Sequence, residues 1–320
     1  MKQTLHEWRQ IGRSRDAVIL LVAAIGSLVT DAMAMVALLL RVHAHSPSPY
    51  AATGLLVAFA VPVVASMGLA GAIGDRYDAR RVLVIGGLVQ VAGAVGLAVT
   101  QHYWATLAAV VVMQCGFAAT NPLWGAVGPR IVGDDLIGSM TSVQHGMRAI
   151  ASPLGAGLGG ILVQWHGDRP VMVINAISFA GLVVAALLLR LPPRVDGEPA
   201  DPARLEFLPR DGIRELRRHP ALVLLVWALL PLIVTLESVN AVEVFLLRDV
   251  FGASAFQFGL GEAAAGTGAV VGAFGAGAVH GTRRRILVIV ICLSLLPVAQ
   301  IGQGLAPDSS SSLPSGRSSA

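Results

Sequence analysis

The sequence predicts an all-α fold, a polytopic membrane helix bundle. Three observations carry this. The 320 residues are 55% hydrophobic and only 13% charged, with a mean hydropathy of +0.71, which leaves too little polar surface for a soluble domain of this size. The apolar residues gather in runs of about 20, the length a helix needs to cross a hydrocarbon core. Basic residues collect in the loops between runs, and on alternate loops rather than all of them. A pI near 9.7 would otherwise suggest nucleic acid as a partner. These arginines are strung out between spans rather than clustered on one face, so no nucleic-acid binding is expected.

Nine spans are predicted, at about 17–41, 53–74, 82–101, 103–127, 140–164, 170–190, 220–242, 257–280 and 285–303. The polar, basic segment 1–16 precedes the first; the run after it is too long for a signal peptide, so a retained first helix is expected. Glycine and alanine are abundant inside the runs, as where membrane helices approach closely. Gly155-x-x-x-Gly159 and Gly268-x-x-x-Gly272 read as packing faces of that kind. Cys115 and Cys292 fall inside apolar runs and are expected as core-packing thiols, not as a disulfide or metal pair.

Orientation follows from the basic residues. Of the 23 lysines and arginines, four lie in the N-terminus, three at Arg76, Arg80 and Arg81, one at Arg130, seven at 190–218 and three at 283–285. The alternate loops hold only Arg41, Arg169, Arg248 and Arg317, and Arg148 lies within a span. The N-terminus is therefore expected on the cytoplasmic side of the cell's inner membrane. The proline- and charge-rich stretch 191–219 reads as a cytoplasmic linker, with Pro192-Pro193 ending the helix before it. Residues 211–218 are a candidate short surface helix. This divides the chain into an N-terminal six-helix half at 17–190, the linker, a three-helix part of a second half at 220–303, and a polar low-complexity tail at 304–320.

An internal repeat supports two halves. Gly71-Ala-Ile-Gly-Asp75-Arg76-Tyr-Asp78-Ala-Arg80-Arg81 precedes Val-Leu-Val-Ile; 204 positions later Gly275-Ala-Gly-Ala-Val-His-Gly-Thr-Arg283-Arg284-Arg285 precedes Ile-Leu-Val-Ile. The first copy resembles the signature cytoplasmic turn of the major facilitator superfamily: Gly, three residues, Asp, Arg, x, Gly, x, Arg, Arg. Gly71, Asp75, Arg76, Arg80 and Arg81 match, while Asp78 replaces the central glycine. Ser27-Leu-Val-Thr-Asp31 is similar to the first-helix pattern of the bacterial drug- and siderophore-exporting branch, with Thr30 where glycine is usual. Pro129-Arg-Ile-Val-Gly-Asp134-Asp135-Leu136 resembles the stretch after its fourth helix. Ser152-Pro153-Leu154-Gly155-Ala156-Gly157 is a degenerate form of its fifth-helix exporter motif. The resemblance covers residues 15–300.

It implies a secondary active transporter working by alternating access, with proton-coupled efflux of small amphipathic molecules. Small-molecule substrate, protons and the lipid bilayer are the implied partners, with no cofactor. Asp75, set near a neighbouring helix end, is then a conformational switch; a solvated turn whose arginines only hold topology is the other reading. The family has twelve helices. The repeat places the fourth span's counterpart at about 307–331, where the chain carries its polar tail and stops, so helices ten to twelve are expected to be missing. A non-transporting remnant of such a transporter is the alternative function.

Charged groups inside spans are the candidate site, because each costs about 2.5–3.5 kcal/mol on insertion scales. Asp31, mid-way along the first span, is the expected proton or cation contact; a neutral or paired structural carboxyl is the plainer reading. Arg148, with His145 one turn before it, is the counter-charge or substrate-anion contact, or else snorkels to the interface. Glu237 is a third candidate cavity residue, whereas Glu243 is expected at the outer surface and Glu262 in the outer part of its span. Asn121, Trp124 and Asn175 line the cavity or simply pack. No metal is expected: His43-x-His45 lacks a third ligand. No enzyme is expected either, since Asp75-x-x-Asp78 and Asp134-Asp135 stand among arginines without the second acidic motif a magnesium diphosphate site needs.

Overall fold

The computed structural model describes residues 10–45, 48–76, 78–133, 136–190 and 242–277, with isolated positions at 218, 223, 224, 227, 284, 287, 288, 291, 294 and 295. The described residues are helical, with no strand among them. Their elements are α1 (Arg15–His45), α2 (Pro49–Arg76), α3 (Ala79–Val99), α4 (Tyr103–Val132), α5 (Ile137–His166), α6 (Arg169–Leu188), a π-helical turn at Leu246–Val250, and α7 (Ala255–Gly277). The first six predicted spans and the one at 257–280 each coincide with a helix. The spans at 220–242 and 285–303 lie mostly outside the described residues. Among the described residues five helices are long and apolar enough to cross a membrane: α1, α3, α4 to Pro129, α5 and α6. In α2 the stretch Tyr50–Ala65 is apolar but shorter.

Several helices overrun the predicted loops, because turns of only a few residues close the bundle. Gly71, Asp75 and Arg76 belong to the last turns of α2, not to a loop; their side chains lie outside the described residues. Asp78, which replaces the family's glycine, is the N-cap of α3: its Oδ1 accepts from the Arg80 backbone N–H at 2.7 Å. A carboxylate there satisfies one of the amides that an α-helix leaves unpaired at its start. Arg80 in turn donates from Nη2 to the Leu189 carbonyl at 2.6 Å, at the C-terminal end of α6, where a cation meets the helix's unpaired carbonyls. The stretch from Pro129 to Val132 continues α4, which stops at Gly133 with φ 82°. Gly167, φ 78°, ends α5 likewise; both are left-handed conformations that glycine adopts without a Cβ penalty. His43 and His45, expected in a loop, are the last turn of α1.

Consecutive helices alternate in direction, so one end of the bundle carries Arg41 and the other Arg80. α1 packs against both α5 and α6; α4 packs against α2 and α3, α3 against α6, and α7 against α5. Glycines set the closest contacts. A Cβ on Gly155 would fall onto the Val29 carbonyl, and one on Gly159 would sit 2.9 Å from Met33 Cα. The predicted Gly155–Gly159 face is thus the α1–α5 seam. The predicted Gly268–Gly272 face is not a seam among the described residues, since a Cβ at either meets nothing within 4 Å. α7 instead meets α5 through Gly259 on Gly160 and Gly266 on Pro153. Cys115 is a further correction: it is exposed rather than packed in the core, and Cys292 lies outside the described residues. An apolar run does not say which of its faces meets lipid.

Two apolar clusters stack along the bundle. The larger fills the Arg41 end and includes Leu38, Leu55, Leu97, Val110, Phe179 and Phe258. The smaller, around Leu83, Val127, Met140 and Leu189, sits toward the Arg80 end.

Candidate functional site

Beside these clusters, on the Arg80 side of Asp31, is a cavity of about 440 Å³ walled by α1, α3, α4, α5 and α6. α1 contributes Leu20, Ala24, Ser27 and Asp31, residues three or four apart and therefore on one face. α5 contributes Thr141, Gln144, His145 and Arg148 on the same principle. Asp31 and Arg148, predicted 117 positions apart in sequence, thus share one space, and Asn121, Trp124 and His145 line it too. Glu237 lies outside the described residues. Glu243 and Glu262, neither of them in the cavity wall, are half-buried electrostatic neighbours of each other.

Asp31 is half-buried at the cavity's upper end. Ser27 donates from Oγ to Asp31 Oδ2 at 3.5 Å, one helical turn away. Behind it, Thr30 joins α1 to α6: its Oγ1 donates to Asn175 Oδ1 at 3.1 Å and lies 2.7 Å from Ser178 Oγ. Thr30, standing where the resembled pattern has glycine, therefore has a structural partner of its own. Asn175 is fully buried in this seam and is not part of the cavity wall; its side chain faces the Asp31 carboxyl as well as Thr30.

Arg148 is exposed to the cavity. Its Nη2 donates to Asn121 Oδ1 at 3.3 Å, and no described carboxylate forms an ion pair with it. Helix geometry explains why Asp31 is not that partner. Gly155 lies level with Val29 and Ala32, and Gly159 with Met33, so α1 and α5 run parallel. Arg148 precedes Gly155 by seven residues, which puts it about 10 Å nearer the Arg80 end than Asp31. Trp124 Nε1–H, also at the wall, is buried and has no partner.

Sequence reasoning missed three polar features. Gln90 and Thr120, both buried, bond across the α3–α4 seam at 3.0 Å and face the cavity. Glutamine in mid-span was the available signal. Arg41, counted only as a loop charge, is 4% exposed. It pairs through Nε with Asp168, at the start of α6, and donates from Nη1 to the carbonyls of Leu97 at 2.8 Å and Thr100 at 3.2 Å, at the end of α3. His43 Nε2 lies 2.7 Å from Asp249 Oδ1, and its ring is 5.1 Å from that of Phe245. That contact joins α1 to a segment some 206 positions later in the chain. Nothing local in the sequence signals either pairing.

The cavity therefore lies below a sealed end. Above Asp31 the larger apolar cluster, the Arg41 clamp and the His43–Asp249 contact fill the bundle; on the Arg80 side the smaller apolar cluster packs against the cavity and shares Leu20 and Trp124 with its wall.

Comparison with known proteins agrees with this architecture. The family model described as Major Facilitator Superfamily matches residues 20–311. Protein spinster homolog 3 of Danio rerio is 26% identical over 132 residues, 39% of this chain and 26% of that protein. Macrolide efflux protein A of Streptococcus pyogenes is 20% identical over 249 residues, 75% of this chain and 60% of that protein. Lysophospholipid transporter LplT of Salmonella heidelberg (strain SL476) is 30% identical over 143 residues, 44% of this chain and 34% of that protein. The chain thus spans between about a quarter and three fifths of the length of these relatives. With a match over nearly all its length and several membrane-crossing helices, this multi-pass membrane protein belongs to the Major Facilitator Superfamily.

Proposed function

We propose that the chain is the transporting part of a proton-coupled exporter of small amphipathic molecules, working by alternating access in the cell's inner membrane. The observation that carries this is Asp31, an ionisable group deep in an apolar helix that opens onto a cavity sealed on one side. A carboxylate at such a place costs free energy that protonation relieves, so the group takes up a proton when its surroundings are dry and can release it when they are wet. The positive-inside pattern supports the Arg80 end as the cytoplasmic one, and the cavity lies on that side of Asp31. Residues 17–190 act as one rocking half, 220–303 belong to the other, and 191–219 connect them. Two of the relatives are named as an efflux protein and a lysophospholipid transporter, in keeping with amphipathic cargo.

In this scheme the α5–α7 glycine seam, which joins the two halves, is the surface that slides, while the α1–α5 seam holds the first half together. The motif at Gly71, Asp75, Arg76, Arg80 and Arg81 favours one of the two arrangements; the Arg80–Leu189 contact is a described part of it, fastening α3 to the end of α6. Glu237 is a further cavity group in this reading.

The test is Asp31→Asn in cells expressing the chain, with accumulation of a panel of amphipathic dyes and ferric chelators followed with and without an uncoupler. The chain lowers accumulation of at least one compound, and both the uncoupler and Asp31→Asn abolish that effect. Equal export by the variant removes Asp31 as the coupling group. Export unaffected by the uncoupler removes proton coupling itself.

A further inference from the structure

Arg148 is the group the transport scheme leaves without a task. A guanidinium carries five N–H donors in a planar fork and stays charged at any physiological pH. One of those donors meets Asn121 Oδ1, a neutral acceptor, at 3.3 Å. The rest point into or along a space where no described carboxylate answers them. Asp31 lies about 10 Å farther along the bundle by backbone position and forms no ion pair with Arg148. His145 lies one turn from Arg148 on the same cavity-facing side, and the buried Trp124 Nε1–H adds an unanswered donor to the wall. Arg148 and Trp124 thus present donors at this end of the cavity that no described carboxylate answers.

Apart from Ser27, Gln90, Thr120, Thr141 and Gln144, the rest of the wall is apolar. On α1, Leu20 lies on the Arg80 side of Arg148, Ala24 is level with it and Leu28 stands between it and Asp31, faced by Phe117, Met147 and Leu182. A cavity with a cationic fork near its mouth and a hydrocarbon-like wall above it is complementary to one shape of molecule. That molecule has an anionic head and an apolar body of about 10 Å.

We propose that Arg148, with Asn121 orienting it, is the head-group site for an amphipathic anion, a carboxylate, sulfonate or phosphate monoester, whose apolar body lies along α1 toward Asp31. This rests on the transport reading for its purpose but not for its test. A bidentate acid on Arg148 satisfies the fork in its own plane, which an ammonium at that position would not. It also assigns the two charged groups to different tasks: Arg148 selects the cargo and Asp31 handles the proton. Arg148 is then a specificity-determining residue, and the site discriminates against cationic amphiphiles by repulsion as much as it attracts anions.

The experiment uses the full chain in phosphatidylcholine nanodiscs and two pyrene probes with the same apolar body. One is pyrenebutyrate, the other a pyrenebutyl-trimethylammonium. Binding is read as energy transfer from tryptophan, with empty discs subtracted for partitioning into lipid. Pyrenebutyrate binds the wild type about tenfold tighter than Arg148→Gln, and Arg148→Lys recovers most of the difference, since a charge-assisted contact is lost in one and kept in the other. The cationic probe is indifferent to Arg148→Gln, or gains. Discs containing phosphatidic acid, a phosphate monoester, separate the sources of the anion. Displacement of pyrenebutyrate from wild type, but no effect on the variant, assigns the site to a lipid head group; no displacement assigns it to a free amphiphile. Equal binding of pyrenebutyrate to wild type and Arg148→Gln overturns the proposal and returns Arg148 to snorkelling. Preferred, Arg148-independent binding of the cation overturns it as well. Intact anion binding in a chain that exports nothing would sink the transport reading alone.

Discussion

Replacing Arg41 by methionine tests the clamp at the sealed end of the bundle. Methionine keeps most of the apolar stem and so avoids a large cavity, leaving the charge and its hydrogen bonds as the main loss. The arginine side chain is 2% exposed and its partner Asp168 19%. Removing one member of a fully buried pair costs about 3–5 kcal/mol, because the other charge is left unpaired. Here water reaches part of Asp168, and the Thr100 carbonyl is only partly buried, so the loss falls to about 2–3 kcal/mol although the buried Leu97 carbonyl loses its donor. Reversible unfolding in mixed micelles measures it, and a double-mutant cycle with Asp168→Asn isolates the pair, with a coupling of about 1.5–2 kcal/mol. A coupling below about 0.5 kcal/mol would be that of an ordinary surface pair and would refute the reasoning.

Gly159→Val places methyl groups against Met33 of α1, where even a Cβ would stand 2.9 Å from Cα and 3.0 Å from the carbonyl oxygen. It should cost about 1–3 kcal/mol in the same unfolding assay, whereas Gly268→Val, with open space around it, should stay within about 0.5 kcal/mol. Loss of the 2.7 Å His43–Asp249 contact in His43→Ala removes about 1 kcal/mol of the bond holding the sealed end, so the labelling rate of a Leu38→Cys reporter should rise about fivefold. An unchanged rate would make that contact incidental to closure. In a background of Cys115→Ala and Cys292→Ala, single cysteines at Arg81 and Arg284 should react with an impermeant maleimide from the cytoplasmic face alone, and one at Arg169 from the opposite face. Labelling of Arg81→Cys and Arg284→Cys from different faces would dismantle the two-half architecture.

Hydropathy and charge in the sequence were sufficient for the class, the first six helices, and the helix at Ala255–Gly277. Those properties follow from the backbone's need to satisfy its own hydrogen bonds in lipid, which any run of about 20 apolar residues signals. The same cost argument singled out Asp31 and Arg148, because a charge in hydrocarbon is conspicuous wherever its helix packs. Helix ends were less legible. Asp75 and Arg76 read as a turn, yet the polypeptide stays helical through them, since capping by Asp78 lets the reversal happen in two residues. Lateral facing was legible only in part: the Gly155–Gly159 face is the α1–α5 seam, but Cys115 and the Gly268–Gly272 stripe look like core from their neighbours and are not packed among the described residues. Only the tertiary arrangement decided that Thr30 bonds Asn175, that Arg41 finds Asp168, and that Arg148 stands a full two turns away from Asp31. Composition acts through the average environment of a segment, whereas a hydrogen bond or an ion pair depends on the rotation and axial offset of two helices, quantities set by glycine contacts far from the groups they bring together or keep apart.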